Sequence, residues 1–128
     1  MTDNARIRFL VLFSISPEKM ADVGDFVAGQ LSRRFGGATV LHSTDNAILT
    51  GFWADDGQQF KTEYQGEVHK EPVISLMLSV LPEDEAEAYS RIKATLAEAA
   101  TRFQLDCQHV HVETMRASAR HFDLQSET

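Results

Sequence analysis

"RIRFLVLFSISPEKM", residues 6–20, decides the architecture of this chain. Side chains of a strand point alternately to its two faces, so Ile7, Phe9, Val11, Phe13 and Ile15 share one face. Arg6, Arg8, Leu10, Leu12 and Ser14 share the other. The middle of the run is apolar on both faces, the pattern of a central strand. At "SPEKM" the alternation stops. Ser16 suits a helix N-cap, Pro17 the first helical position and Glu18 the positive end of the helix dipole. Met20, Val23, Val27, Leu31 and Phe35 then recur at steps of three and four residues, which predicts one buried stripe. Gly36-Gly37 ends the helix, because glycine accepts the left-handed conformation common there.

Downstream, "ATVLHS" and "AILTGFWA" are β-rich runs joined near Thr44-Asp45-Asn46, which predicts a hairpin. Residues 55–72, "DDGQQFKTEYQGEVHKEP", form a long polar insert, with a tight turn at Asp56-Gly57. Phe60, Tyr64 and Val68 have helical spacing, but Gly66 weakens it. A connection of this length in a compact domain is functional or mobile. "VISLMLSV", residues 73–80, is a second buried strand. Pro82 and the acidic residues after it open a second helix, with Tyr89, Ile92, Leu96, Ala99 and Phe103 as its stripe. "LDCQHVHVET", residues 105–114, is the last strand. The tail, residues 115–128, has Met115, Ala119 and Phe122 on one side of one or two helical turns.

The predicted order, β-α-β-β-β-α-β, is that of a single α+β ferredoxin-like sandwich over residues 1–128: an antiparallel sheet with both helices on one face. The extra hairpin strand would extend one edge. In the last strand Val110 and Val112 would face the helices, leaving Cys107, His109, His111 and Glu113 on the open side. Arg8, Leu10, Leu12 and Ser14 would lie there too, with Val73, Ser75, Met77 and Ser79, and with Ile48, Thr50, Phe52 and Ala54 beside them. Such a face is too apolar for water and marks an interface or a ligand site.

The totals narrow the function classes. A chain of 128 residues fits one domain that needs no metal or disulfide to close its core. Twelve basic against 19 acidic residues give a formal charge of −7, which works against nucleic-acid binding. No apolar run of membrane-spanning length is present, and the start of the chain lacks the apolar core of a signal peptide. Cys107 is the only cysteine, so no internal disulfide forms. A cytoplasmic protein is the simplest reading.

Several residues carry possible chemistry. His109 and His111 lie roughly 7 Å apart along a strand, close enough to share a metal with Glu113 or a second chain. A half-exposed strand also tolerates histidine without any ligand. "HST", residues 42–44, is similar to the His-x-Thr element of two-histidine phosphodiesterases, but the second copy is missing, since His111 is followed by Val-Glu. Cys107 has no cationic neighbour in sequence and reads as a packing residue. Trp53 can pack or stack on a ligand, and packing is the commoner role. Glu83, Asp84, Glu85 and Glu87 read as a solvated helix start. Arg33-Arg34 and the Lys61, His69, Lys70 group are the local positive features; the latter could attract an anion.

The order of elements, with the long insert after the middle strands, resembles that of PII-like signal proteins. Those are trimeric ferredoxin-like domains in which such a loop helps bind nucleotides or small anions. "GGATVL", "GFWADDG", Glu71-Pro72 before a strand and "RFQ" before the last strand resemble a group of small uncharacterised bacterial domains. This chain departs from that group in a longer stretch between "TVL" and Trp53 and a longer loop before Glu71. No glycine-rich phosphate motif is present, and no cofactor is indicated.

The leading expectation is a non-enzymatic homo-oligomer, dimer or trimer, binding a small molecule or anion in a cleft between copies. Its ligand-binding residues would be Arg8, Trp53, Lys61, His69, His109 and His111. The alternatives are a dimeric α+β barrel enzyme using His109 or His111 as acid or base, and an acidic inhibitor of a partner protein.

Overall fold

The computed structural model describes residues 4–55, 60–107 and 109–125. In chain order the elements are β1 (Ala5–Phe13), α1 (Pro17–Phe35), β2 (Thr39–His42), β3 (Thr50–Ala54), β4 (Val68–Pro72), β5 (Ile74–Val80), α2 (Glu85–Arg102) and β6 (Val110–Ser118). A short 3₁₀ turn, Pro82–Asp84, leads into α2. β2, β5, β1 and β6 form a four-stranded sheet in that order, and every pairing is antiparallel. With β3 and β4 set aside, this is the ferredoxin-like arrangement: β1 sits inside the sheet, flanked by the third and fourth of its strands.

The reading of residues 6–20 follows from the packing. Phe9, Val11, Phe13 and Ile15 are buried on the helix side of β1, and Ile74, Leu76, Leu78 and Val80 do the same on β5. Against them lie Met20, Val23, Val27 and Leu31 of α1 and Ala88, Ile92 and Ala99 of α2. Ser16 occupies the N-cap of α1 but makes no side-chain capping bond; the start is favoured by Pro17, whose fixed φ suits the first helical position and which has no N–H there to satisfy. Gly36 ends α1 at φ 100°, as its position predicts. The two helices are tied at their ends. Lys19 Nζ donates to the carbonyls of Phe103 (3.0 Å) and Gln104 (3.1 Å), where the dipole of α2 favours a cation. Arg34 forks onto the Glu87 carboxylate, with Nε–Oε2 at 2.7 Å.

Five expectations change. First, β2 and β3 do not form a hairpin. β2 pairs with β5, and β3 pairs with β4 as a separate two-stranded ribbon, so the sheet is not extended at its edge and the chain has one strand more than expected. The cause is Ser43, fully buried, whose Oγ accepts from Leu49 N (2.9 Å) and donates to the carbonyl of Leu49 (3.1 Å). It pins residues 43–49 as an excursion between the two strands, so Ser43 and Thr44 of the "HST" stretch belong to that turn while His42 ends β2. Second, the insert 55–72 ends in strand: Val68–Pro72 is β4, so Val68 is not on a helix. The expected turn at Asp56-Gly57 lies outside the described residues.

Third, the last strand is Val110–Ser118, so Met115 is in strand and the tail is not helical there. Fourth, Cys107 and His109 precede that strand. Cys107 packs against the core instead of pointing to the open side, and burial pushes its thiol up from the ordinary value. Val110 keeps its predicted side by register, opposite Phe13, but remains 42% exposed at the sheet's margin. Fifth, the stripe of α2 begins at Ala88 and leaves Tyr89 exposed.

Candidate functional site

The helices cover one face of the sheet. On the other, register fixes which side chains are neighbours, because directly paired residues of an antiparallel ladder share a face. Thr39, Met77, Leu10 and Glu113 form one row across β2, β5, β1 and β6. Leu41, Ser75, Leu12 and His111 form the next. Ser79, Arg8 and Met115 form a third, shorter one. Leu41 is 55% and Met115 42% exposed, and Leu10, Leu12 and Met77 are half-buried. The middle of this face is therefore apolar and open. Its ionisable groups sit toward β6 and β1: Arg8 Nη2 lies 3.0 Å from Met77 Sδ, and His111 Nε2 donates to Glu113 Oε2 at 2.7 Å.

The β3–β4 ribbon carries the second group. Trp53 faces His69 across the ladder, and Phe52 faces Lys70. The Trp53 ring lies over Gly51: a Cβ there would come within 2.1 Å of it. Trp53 thus packs back on its own strand, and Val73 lies close to Gly51 as well. Phe52 is 64% exposed, with Lys70 Nζ 5.9 Å from its ring. His69 Nε2 donates to Asp55 Oδ1 at 2.8 Å. That hydrogen bond, then the carboxylate's charge, raises the imidazole above its ordinary 6.5, and Glu67 and Glu71 add to the effect. Asp55 N–H also donates to the carbonyl of Glu67 (2.9 Å), closing the ribbon's outer end.

The six expected ligand residues fall on two surfaces. Arg8 and His111 stand on the open sheet face, with His109 just ahead of β6; Trp53 and His69 stand on the ribbon. Lys61 lies in the segment joining β3 to β4, where its N–H donates to the Tyr64 hydroxyl at 2.9 Å. The expected Ile48, Thr50, Phe52 and Ala54 are absent from the sheet face, since their strand left the sheet. Leu41 and Met115 belong to it and were missed: β2's register is set by β5, and β6 runs past the point where alternation fades. Asp55 was missed as the partner of His69, since the ribbon pairing alone brings them together.

No three His, Cys, Asp or Glu side chains are grouped as a metal site among the described residues of one chain. Two concavities, one at the tail (His121–Gln125) and one at the ribbon's base (Ile48, Thr50, Lys70, Glu71, Pro72), are shallow and open to solvent. No helix is long and apolar enough to cross a membrane, among the described residues.

No protein-family model matches the chain, and no curated protein matches it. Among solved structures it is similar to the periplasmic divalent cation tolerance protein CutA from Archaeoglobus fulgidus, with a TM-score of 0.47 and 9% identity over 93% of this chain and 88% of that one. It is also similar to CPII bound to ADP and bicarbonate, from Thiomonas intermedia, with a TM-score of 0.36 and 15% identity over 90% of each chain. The ferredoxin-like assignment stands on the strand order itself.

Proposed function

We propose that this chain is a homo-oligomeric, non-enzymatic binding domain of the cytoplasm, a sensor or regulator of the PII-like kind, which takes a small molecule or anion at a cleft between copies. One observation carries the reading. The sheet face opposite the helices presents Leu10, Leu12, Leu41, Met77 and Met115 with no helix or strand over them among the described residues. An uncovered apolar sheet face is a packing surface, and a second copy of the chain is its occupant here. The shallow concavities of a single chain favour a ligand site made by two copies. Arg8, Trp53, Lys61, His69, His109 and His111 supply its donors and its aromatic wall. The space between the sheet and its own helices, where a barrel-type enzyme would hold substrate, is filled by Phe9, Met20, Val23, Leu31 and Ile92.

Native mass spectrometry on chelator-free protein tests this. The expected result is a dimer or trimer carrying additional mass, and a folded monomer without that mass for Leu12→Lys. A bare monomer for the parent chain at micromolar concentration would overturn the reading.

A further inference from the structure

The four-stranded sheet has two edges of unequal length. β2 is four residues long, and short edges attract no partner. β6 is nine residues long, contains no proline, and has no strand on its outer side among the described residues. It offers a long row of unpaired backbone N–H and C=O groups. The β3–β4 ribbon has the opposite deficit. It is a sheet of two strands only, and two strands without a third are marginal in water.

The ribbon's edges are not alike. β4, "VHKEP", carries His69, Lys70, Glu71 and Pro72, the charges and proline that protect an edge. β3, "TGFWA", carries no charge and no proline, and Phe52 is its exposed centre. One chain cannot join its own two edges. The excursion after β2 and the link from β4 to β5 hold the ribbon at the β2–β5 side, whereas β6 is the far edge of the order β2-β5-β1-β6.

We infer that β3 of one copy adds as a strand along the outer edge of β6 of a second copy. The inference rests on the oligomeric reading and states how the copies join. It gives the ribbon its third strand and covers the long edge with the same backbone bonds. β3 and β6 are different surfaces, so the contact is heterologous and closes into a ring of two or three copies. It also completes the site. Trp53, with His69 beside it, comes next to the His111–Glu113 pair of the neighbouring copy. The two groups of ligand residues, separate in one chain, become one wall. The class of ligand is a small molecule with an anionic group for the imidazoles and a flat face for the indole.

The test joins the centres of the two strands, so it does not depend on strand direction. In a Cys107→Ser background, copies bearing Phe52→Cys are mixed with copies bearing Thr114→Cys and treated with a short bismaleimide. A cross-linked pair many-fold more abundant in the mixture than in either variant alone is expected. An oligomer whose mixture gives no such excess overturns the strand addition and leaves the oligomeric reading intact. A parent chain that stays monomeric overturns both. Hydrogen exchange on the unsubstituted chain is the second measurement. Outward-facing β6 amides are expected to exchange about tenfold or more slowly at assembled than at dilute concentration. Equal rates in a sample that is oligomeric at the higher concentration refute the pairing.

Discussion

Gly51→Ala is the sharpest probe of the ribbon, since Trp53 is the chain's one tryptophan. A methyl group at position 51 would sit 2.1 and 2.3 Å from two atoms of the indole and 2.8 Å from Val73 Cγ1. Ordinary contact begins near 3.4 Å, so the ring must move by roughly 1 Å or turn off the strand. Overpacking of this kind costs about 1–3 kcal/mol. If the ribbon unfolds together with the sheet, that is a fall of roughly 4 °C in Tm per kcal/mol for a chain of this size. If the ring simply swings outward, stability is kept and the indole enters water. Tryptophan emission and a thermal melt, read together, cover both responses. The expected result is a red shift in emission, with a Tm loss in proportion to how much of the ring's packing cannot be recovered. Emission and Tm both unchanged would refute the close packing of Trp53 on Gly51.

His69, titrated by NMR, should show a midpoint above 6.5 that returns toward 6.5 in Asp55→Asn. Because the folded value is the raised one, the pair's stabilisation is fully present below pH 6.5 and is lost as pH rises through the folded value. Ile92→Ala, at a side chain with no exposed surface, should cost about 2–5 kcal/mol in urea unfolding; a loss under 1 kcal/mol would mean that the helix layer is not packed on β1 and β5 as described. Asp55→Asn and Glu113→Gln each free an imidazole from a carboxylate, so binding of inorganic phosphate, measured by calorimetry at pH 6, should tighten in both. Weaker phosphate binding would make the carboxylates themselves ligand contacts.

The central parts of the fold were legible because both faces of their strands carry information. On β5 every second residue from Ile74 to Val80 is buried and on β1 from Phe9 to Phe13, with Ile7 half-buried, while Val73, expected on the open side, is buried too; in α1 the stripe runs unbroken from Met20 to Leu31. Where one pattern admits two pairings, sequence alone could not choose. The runs on either side of Asp45-Asn46 look like the arms of a hairpin, yet the buried Ser43 hydroxyl closes the chain on itself between them. A serine in a polar turn gives no sign of being buried. β6 failed for another reason. It lies at an edge and is exposed on most of both faces, so "TMRAS" lacks the alternation that would mark it as strand. In α2 the tyrosine looked the better core residue, but it is Ala88 that is fully buried in the core cluster, while Tyr89 stays exposed.

The candidate site was legible as residue types and illegible as a place. Histidine, tryptophan and lysine at a polar insert signal possible recognition, but their meaning depends on partners that only pairing supplies. His69 is 14 residues from Asp55 in sequence and bonded to it in space; His111 holds Glu113 on its own strand. Each imidazole thus stands beside a carboxylate that fixes its ring and offsets its charge. An anion meeting either surface alone would face a compensated pair, not a free cation. A site that gathers both surfaces gains from number and enclosure what each pair lacks in charge. A neighbouring copy would exclude water, strengthen the remaining imidazole and guanidinium bonds, and place Trp53 against the ligand's flat face. On the proposed reading assembly and recognition are one problem: the apolar sheet face, the bare β6 edge and the uncharged β3 edge would bring the copies together, and the residues proposed to bind the ligand lie along those same borders.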